Sequence, residues 1–181
     1  VKPEEPTMSQ AVVEAIRTRF PNAVVSDHAW RGDDTVVLAG GALVDVATFL
    51  RDDPDMAFNL PIDVCGVDYL GHKEPRFEVV YHLYSLTKRH RIRLKVELTD
   101  DDPVVPTLTG VWKGVDWFER EAWDMYGVHF EGHPNLERIL MYPEFEGHPL
   151  RKDYPQRGYQ PLMPLPTVEG DVLSTGTKVG E

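Results

Sequence analysis

Cysteine is almost absent from this sequence of 181 residues, in which Cys65 is the only one. A single thiol forms no disulfide within the chain, and an iron–sulfur cluster needs about four cysteine ligands, so we expect neither here. Long hydrophobic runs are also missing, because the longest, residues 36–44, is far shorter than the ~20 residues that span a bilayer. The first residues, VKPEEPTMSQ, are acidic and do not resemble a signal peptide. We therefore expect a soluble chain with no membrane span of its own.

Positive charge is scarce in the chain. Its 19 Lys and Arg residues are outnumbered by 30 Asp and Glu residues, which gives a formal net charge of −11. This balance argues against binding to nucleic acid or to an anionic membrane surface, and it suits a soluble partner with basic patches. One basic strip follows a predicted strand and consists of Lys88, Arg89, Arg91, Arg93 and Lys95. Such a strip either protects an edge strand from aggregation or docks a partner, and the sequence leaves both explanations open.

Cofactor motifs are missing as well. Neither G-x-G-x-x-G nor G-x-x-x-x-G-K-[ST] occurs, so the sequence has no dinucleotide or P-loop fingerprint. His129 and His133 are four residues apart, but the glycine and proline beside them prevent the regular helix that would align two ligands. His82 and His90 are expected at the surface, and Cys65, with no nearby Lys or Arg in the sequence, is expected to be an inert buried thiol. The sequence thus predicts no catalytic, cofactor-binding or metal-binding residue in this chain.

The hydrophobic pattern predicts an α+β fold. Helical spacing predicts two helices before residue 54, and alternation of apolar residues predicts two short strands between them and three longer strands after them. This order indicates a two-layer domain with helices packed on a mixed or antiparallel sheet, extended by a C-terminal arm. A change of parity at Cys65-Gly66 predicts a β-bulge. We divide the chain into a flexible N-terminus (1–8), a core domain (9–130) and an extended partner-binding arm with its tail (131–181).

A third helix is predicted from Asp116 to Gly127. Asp116 and Glu119 have the spacing of a capping box, and Gly127 is placed to end the helix in a left-handed conformation. Glu119 falls inside the apolar arc of the helix, where a carboxylate is costly unless it is paired or protonated. It either leans toward solvent or one arginine, or it forms a buried pairing site for a partner. Arg120 and Asp124 fall on the opposite arc with the spacing of an exposed ion pair.

A short repeat follows this helix. Phe-Glu-Gly-His-Pro occurs at residues 130–134 and again at 145–149, and an arginine follows each copy, Arg138 or Arg151. Glycine supplies a positive φ and proline fixes its own φ, so each copy predicts a bend in a shaped arm. After Pro155 the sequence has prolines and isolated apolar residues without periodicity. We expect that tail to lie extended along a partner and to become ordered there.

The helix and the repeat together resemble a known family. The matching motifs are Glu-Arg-Glu at the start of the helix, Asp-Met-Tyr-Gly at its end, the first Gly-His-Pro bend with Arg138-Ile139-Leu140, and GHPLRKDYP at residues 147–155. Over roughly forty residues without a gap, they are similar to the C-subunit of NADH-quinone oxidoreductase, the ~30 kDa subunit of respiratory complex I. Glu137 departs from the pattern, because the family usually has the first arginine of a pair there.

The resemblance implies a non-catalytic scaffold subunit in the peripheral arm of a proton-translocating NADH:quinone oxidoreductase, on the cytoplasmic side of the membrane. The implied hetero-oligomer binds NADH, FMN, iron–sulfur clusters and quinone in its other subunits. The implied main partner is the quinone-module (~49 kDa-type) subunit. The residues expected at this interface are Trp117, Glu119, Arg120, Glu121, Asp124, Tyr126, His133, Arg138, His148, Arg151, Lys152, Asp153 and Tyr154.

Two other interpretations remain open at this point. The same type of subunit occurs in related complexes, such as a membrane-bound hydrogenase or a dehydrogenase linked to ferredoxin, F420H2 or plastoquinone. The more distant alternative is a stand-alone acidic enzyme that uses Glu119 and Asp124 as acid and base. Five helical residues place these carboxylates about 140° apart, which disfavours a catalytic pair. A monomer with a closed pocket around both carboxylates would support the enzyme.

Overall fold

A computed structural model describes residues 8–157 and 160, with side-chain environments from residue 11 onward. The helices are α1 (Met8–Arg19), α2 (Leu43–Asp52) and α3 (Asp116–Tyr126), and none of them in this part of the chain is long and apolar enough to cross a bilayer. The strands are β1 (Val24–Trp30), β2 (Asp33–Leu38), β3 (Leu60–Asp68), β4 (Phe77–Ser85), β5 (His90–Leu98), β6 (Val104–Pro106) and β7 (His129–Glu131). The predictions for the first seven residues and for nearly all of the tail after Pro155 lie outside the described residues.

Five strands form one mixed sheet in the order β1-β2-β5-β4-β3. Neighbouring strands run antiparallel except β2 and β5, which are parallel, while β6 and β7 form a separate parallel pair. The predicted α+β class with a mixed sheet is therefore confirmed. Because β5 is the middle strand, the edge-strand explanation of its basic strip is wrong. The cations of that strand instead pair within the sheet, Lys95 with Glu78 at 2.9 Å and Arg93 with Asp33 at 3.9 Å.

The alternation along β5 separates a core face from a charged face. Ile92, Leu94 and Val96 are buried and join the same core cluster as Ile16 of α1 and Leu50 of α2. The residues between them point to the other side of the sheet, since successive side chains of a strand alternate. We call that side the charged face, because the long side chains of β5 pair there with those of β2 and β4.

One local prediction for the sheet is wrong. The irregular register of β3 lies between Pro61 and Asp63, whereas Cys65 and Gly66 pair regularly with β4. A glycine is needed at position 66 for a different reason, because a β-carbon there would lie 2.6 Å from the ring of Tyr126. This glycine lets α3 approach the sheet closely, and it does not produce a bulge.

Candidate partner-binding site

The third helix begins and ends where predicted, but its start is not capped as predicted. Gly127 follows α3 with a φ of 76°, a left-handed conformation that glycine adopts without steric cost. The capping box is wrong, because no side chain caps the helix, and the Glu119 carboxylate turns toward the loop after β6 instead. The part of the predicted arm that follows β7 and is described without a gap, residues 132–157, then folds back along the helix, and we call this segment the arm from here on.

Glu119 is fully buried between α3 and that loop. Its carboxylate accepts a hydrogen bond from the backbone N–H of Leu108 at 2.8 Å and another from the Thr107 hydroxyl at 2.5 Å. The enclosed His133 side chain lies beside it, with Nε2 4.0 Å from the carboxylate. Burial raises the pKa of Glu119 to about 7, although the two hydrogen bonds favour the ionised form, and Asp116 adds to the rise. The expectation of a solvent-exposed or arginine-paired Glu119 is therefore wrong, and its hydrogen-bond donors come from its own chain.

Asp124 is also fully buried, contrary to its predicted place on an exposed arc. Its Oδ1 accepts a hydrogen bond from Arg138 at 2.6 Å. Its Oδ2 accepts three backbone N–H groups at 2.9 to 3.1 Å, from the successive arm residues Ile139, Leu140 and Met141. Burial by itself raises the pKa of Asp124, but these bonds outweigh it and lower that pKa from its ordinary value. One carboxylate thus fixes the path of the arm over four residues.

The second bend of the arm packs against the C-terminal end of α3. His148 Nδ1 donates to the Asp124 carbonyl at 3.0 Å, and Arg151 Nε donates to the Tyr126 carbonyl at 2.6 Å. Both acceptors belong to the last turn, where helix carbonyls have no partner within the helix. A β-carbon at Gly127 would lie 2.5 Å from Arg151 and 2.6 Å from His148. Gly127 therefore turns the chain and leaves room for the arm.

A second anchor ties the arm to the sheet. The buried guanidinium of Arg76 pairs with Asp68 at 2.9 Å, Asp100 at 2.9 Å and Asp153 at 2.8 Å. Asp68 also accepts the backbone N–H of Lys152 at 2.7 Å. Burial raises the pKa of Asp68, but the hydrogen bonds from Arg76 and from backbone N–H groups prevail and lower it to about 2. Arg76 and Asp68 were not predicted as site residues, because Arg76 and Asp153 are 77 positions apart and no local pattern connects them.

Aromatic side chains hold the second bend in shape. Tyr154 stacks on Phe145 with ring centroids 5.9 Å apart, and its ring lies over Gly147, whose φ is 87°. The Tyr154 hydroxyl accepts a hydrogen bond from Gln160 at 2.7 Å. Gly147 thus supplies the positive φ that the repeat predicts, as Gly132 does in the first copy with a φ of 80°.

A smaller set of side chains points away from the domain. Trp117 of α3 is 69% exposed, and Glu121 of the same helix is also exposed. The arm contributes exposed apolar side chains at Leu140, Tyr142 and Leu150. We call Trp117 and these three arm residues the apolar surface. Single exposed apolar side chains are common on protein surfaces, and a partner buries those that adjoin one another.

The predicted interface residues thus fall into two groups. The side chains of Trp117, Glu121 and Lys152 are exposed. The other ten bond or pack within the chain, and the predicted Arg120–Asp124 pair is replaced by a 3.1 Å bond from Arg120 to the Glu137 carbonyl. These ten are Glu119, Arg120, Asp124, Tyr126, His133, Arg138, His148, Arg151, Asp153 and Tyr154. These ten therefore have bonding or packing roles within the chain, although the side chain of Asp153 is also exposed. Contact of the thirteen residues with a partner stays a prediction.

One cluster elsewhere contains metal-ligating side chains that no sequence motif had connected. Asp63, Cys65 and His82 lie on the charged face, with ligand atoms all within 4.8 Å of one another. Cys65 and His82 are half-buried, so the predicted buried thiol and surface histidine are each correct only in part. Burial and the nearby Asp63 raise the pKa of the Cys65 thiol, and burial and the nearby Arg93 lower the pKa of His82. The sequence signal is an Asp-x-Cys spacing on one strand and a histidine on the next.

Comparison with known proteins agrees with the fold. The family model described as "Respiratory-chain NADH dehydrogenase, 30 Kd subunit" matches residues 36–160. The NADH-quinone oxidoreductase C-subunit of Roseiflexus sp. (strain RS-1) is 55% identical over 144 residues, which cover 80% of this chain and 82% of the relative. The NADH-quinone oxidoreductase C-subunit of Caulobacter sp. (strain K31) is 47% identical over 161 residues, which cover 88% and 74%.

Solved structures share the same architecture. A trypsin-resistant fragment (1-134) of Nqo5 has a TM-score of 0.60 at 32% identity, over 72% of this chain and 100% of the fragment. A chain of the membrane-bound sulfane sulfur reductase, an archaeal respiratory membrane complex, has a TM-score of 0.69 at 25% identity, over 82% and 86%. The fold is therefore an α+β fold of the Nqo5 type. The chain belongs to the 30 Kd subunit family of respiratory-chain NADH dehydrogenase, that of the NADH-quinone oxidoreductase C-subunits.

Proposed function

We propose that the chain is a scaffold subunit in the peripheral arm of a proton-translocating NADH:quinone oxidoreductase. In this role it binds the quinone-module (~49 kDa-type) subunit on the cytoplasmic side of the membrane. The path of electrons from NADH through FMN and iron–sulfur clusters to quinone then runs through neighbouring subunits. The proposal is supported by family membership, because the similar proteins are named as subunits of this enzyme.

The observation that carries the proposal is an arm that hydrogen bonds hold to the domain, with exposed apolar side chains both on the arm and on α3. Hydrogen bonds to Asp124 and Arg76 fix the arm at two places, and the arm has no regular secondary structure of its own. A segment that is already ordered before binding loses less conformational entropy when it associates, so the entropic cost of binding is smaller. Trp117 stands on the helix that carries this arm, and exposed tryptophans are common anchors of protein interfaces.

The test is a charge placed on the apolar surface. Trp117→Asp is introduced into the chain in its native complex, and the fraction of the chain that co-purifies with its partners is measured by quantitative mass spectrometry. The matched control is Trp30→Asp, because Trp30 is 67% exposed and lies on β1, away from α3 in the order of the sheet. We expect Trp117→Asp to lose most of its partners and Trp30→Asp to retain them.

The isolated variants separate assembly from folding. Both tryptophans are exposed, so both variants should keep the free energy of unfolding of the parent chain within about 0.5 kcal/mol, the range usual for surface substitutions. Full assembly of Trp117→Asp would refute the proposed interface. Loss of assembly in Trp30→Asp alone would move the interface to the β1 end of the sheet. Co-purification with partners other than NADH:quinone oxidoreductase subunits would refute the proposed complex.

A second candidate function is the equivalent subunit of a related respiratory complex. The observation that favours it is the TM-score of 0.69 with a chain of the archaeal sulfane sulfur reductase complex. The surface of this chain is expected to serve the same scaffold role there. The electron-input subunits that co-purify with the chain distinguish the two complexes, since flavin-bearing NADH-oxidising partners are expected only in the first.

The stand-alone enzyme gains no support from the geometry. Glu119 is bonded to the loop at Thr107 and Leu108, while Asp124 is bonded to Arg138 and the arm. Both carboxylates are fully buried, and they share no hydrogen-bond partner among the described residues. An acid–base pair needs both groups within reach of one substrate, an arrangement that these two separate networks do not provide.

A further inference from the structure

Three side chains of different chemistry meet on the charged face of the sheet, at β3 and β4. Asp63 and Cys65 are two residues apart on β3, so both point to the same side of the sheet. His82 on β4 is the direct cross-strand partner of Asp63. The carboxylate oxygen, the thiol sulfur and a ring nitrogen all lie within 4.8 Å of one another. The pairing of β3 with β4 thus brings together three metal-ligating atoms, one oxygen, one sulfur and one nitrogen.

We propose that Asp63, Cys65 and His82 form a binding site for a thiophilic divalent cation, with Zn²⁺ as the best match. Zn²⁺ binds Cys sulfur at about 2.3 Å, and His nitrogen and carboxylate oxygen at about 2.0 to 2.2 Å, in tetrahedral geometry. Ligand atoms around such an ion are about 3.5 Å apart, so side-chain rotations that close the present separations complete the site. The hard cations Mg²⁺ and Ca²⁺ prefer all-oxygen ligand sets and fit poorly.

The strand framework makes the site rigid without a further element. Both strands belong to the five-stranded sheet, and the regular register of β3 with β4 runs from Asp63 to Asp68. Cross-strand neighbours have β-carbons about 4.5 to 5.5 Å apart, which suits two ligands of one ion. Three protein ligands leave the fourth tetrahedral position to water or to an added ligand. A cleft of about 240 Å³, lined in part by Asp63 and His82, gives that position access to solvent.

The nearby cation of Arg93 also lines this cleft, but its guanidinium has partners of its own. Arg93 is the β5 neighbour of His82, and its guanidinium donates to the Thr35 hydroxyl at 3.0 Å and lies 3.9 Å from Asp33. Both of these contacts are on β2, on the side of Arg93 away from β3. The carboxylate of Asp63 and the thiolate of Cys65 together balance the charge of one divalent ion. Binding at neutral pH releases the thiol proton to solvent, because only the thiolate ligates the metal.

The test uses the full chain without a histidine tag and Zn²⁺ or Co²⁺ alone as the probe. Cys65 is the only cysteine, so the rate of its alkylation by iodoacetamide reports directly on the site. We expect one equivalent of Zn²⁺ to slow this alkylation, and one equivalent of Co²⁺ to give a sulfur-to-cobalt charge-transfer absorption. Cys65→Ser and His82→Gln should each weaken Zn²⁺ binding by roughly tenfold or more, since even the supporting partners of metal ligands matter by about 10- to 100-fold.

His28→Gln is the matched control, because His28 is exposed on β1 and lies outside the cluster. It should bind Zn²⁺ as the parent chain does. An alkylation rate unaffected by saturating Zn²⁺ would overturn the site, and so would unchanged Zn²⁺ binding in Cys65→Ser. The alkylation of the parent chain decides the question even where a variant fails to fold. Weakening by His28→Gln equal to that by His82→Gln would show scattered surface binding and would also overturn the site.

Discussion

The stability of this domain should fall as the pH rises from 4.5 to about 7, because the buried Glu119 carboxyl loses its proton over that range. Its carboxylate is fully buried, and burial raises its pKa from 4.5 to about 7. A raised carboxylate pKa means that the folded chain binds the proton more tightly than the unfolded chain does. The stabilisation is therefore fully present below pH 4.5 and is lost as the pH rises toward about 7.

The magnitude follows from the difference between the two pKa values. Each pH unit between 4.5 and about 7 lowers the free energy of unfolding by about 1.4 kcal/mol, so the total loss at and above neutral pH is about 3 kcal/mol. Glu119→Gln removes this loss, because the amide stays neutral. Its oxygen can still accept the Leu108 N–H, and its amino group can donate to the Thr107 hydroxyl oxygen. The variant should match the parent near pH 4.5 and exceed its free energy of unfolding by about 3 kcal/mol at pH 8.

The assay is urea unfolding of the parent and the variant at pH values from 4.5 to 9. The difference between the two free energies at each pH isolates Glu119 from the rest of the chain. The ionisable groups that face it, Asp116, His133 and Tyr81, are present in both proteins. Glu121→Gln serves as the control, because Glu121 is an exposed glutamate on the same helix. That control should show a difference below about 0.5 kcal/mol at every pH.

A flat difference between Glu119→Gln and the parent across this range would refute the reasoning. So would a variant that is less stable than the parent at pH 8, because that result would mean that the ionised carboxylate stabilises the fold. An equal gain in Glu121→Gln would assign the effect to net charge and not to burial.

Three further substitutions test the anchors of the arm. Asp124→Asn leaves Arg138 without its counter-charge and should lower the free energy of unfolding by about 3 kcal/mol. The backbone amides of residues 139–141 should then exchange faster with solvent, and unchanged exchange there would contradict the anchor. Gly127→Ala should lower the free energy of unfolding by about 1 to 3 kcal/mol more than Gly71→Ala. The two glycines have nearly the same φ, 76° and 75°, but only a β-carbon at Gly127 would meet other side chains. Equal losses in the two variants would exclude a clash with the arm. The lowered pKa of Asp68 gives the parent about 2 kcal/mol of stability above pH 3.8, which is lost as the pH falls toward 2. Asp68→Asn lacks this contribution, so the free energy of unfolding of the variant should depend less on pH in that range. An unchanged acid transition would contradict the pKa of about 2.

The parts of the fold that sequence patterns predicted are those decided by neighbouring residues. The alternation of Ile92, Leu94 and Val96 places one face of β5 in the core, because a strand has a period of two. Gly127 ends α3 because only the local backbone matters for a left-handed cap. The middle position of β5 was not predictable in this way, since a basic strip looks alike on an exposed edge and on a charged face.

The errors in α3 have one physical origin. A helical wheel assigns one buried arc and one exposed arc, which is valid for a helix with a single packed side. α3 is covered twice, by the sheet next to Gly66 and by the arm over Asp124. Asp124 is therefore buried although it lies on the arc opposite the sheet, and its carboxylate accepts backbone N–H groups of the arm. No periodicity within α3 contains that information, because the donors come from residues 138–141.

The residues of α3 and the arm have two different roles in this structure, since some hold the arm in place and others are exposed and available to a partner. Asp124, Arg138 and Arg151 bond to backbone groups or to one another and set the path of the arm. The side chains of Trp117 and Leu140 are exposed and do not set that path, although the backbone N–H of Leu140 donates to Asp124. A substitution in the first group should therefore reduce the stability of the isolated chain and its assembly together. Trp117→Asp should reduce assembly alone, so a parallel loss of stability in that variant would show that the tryptophan belongs to the fold and not to an interface.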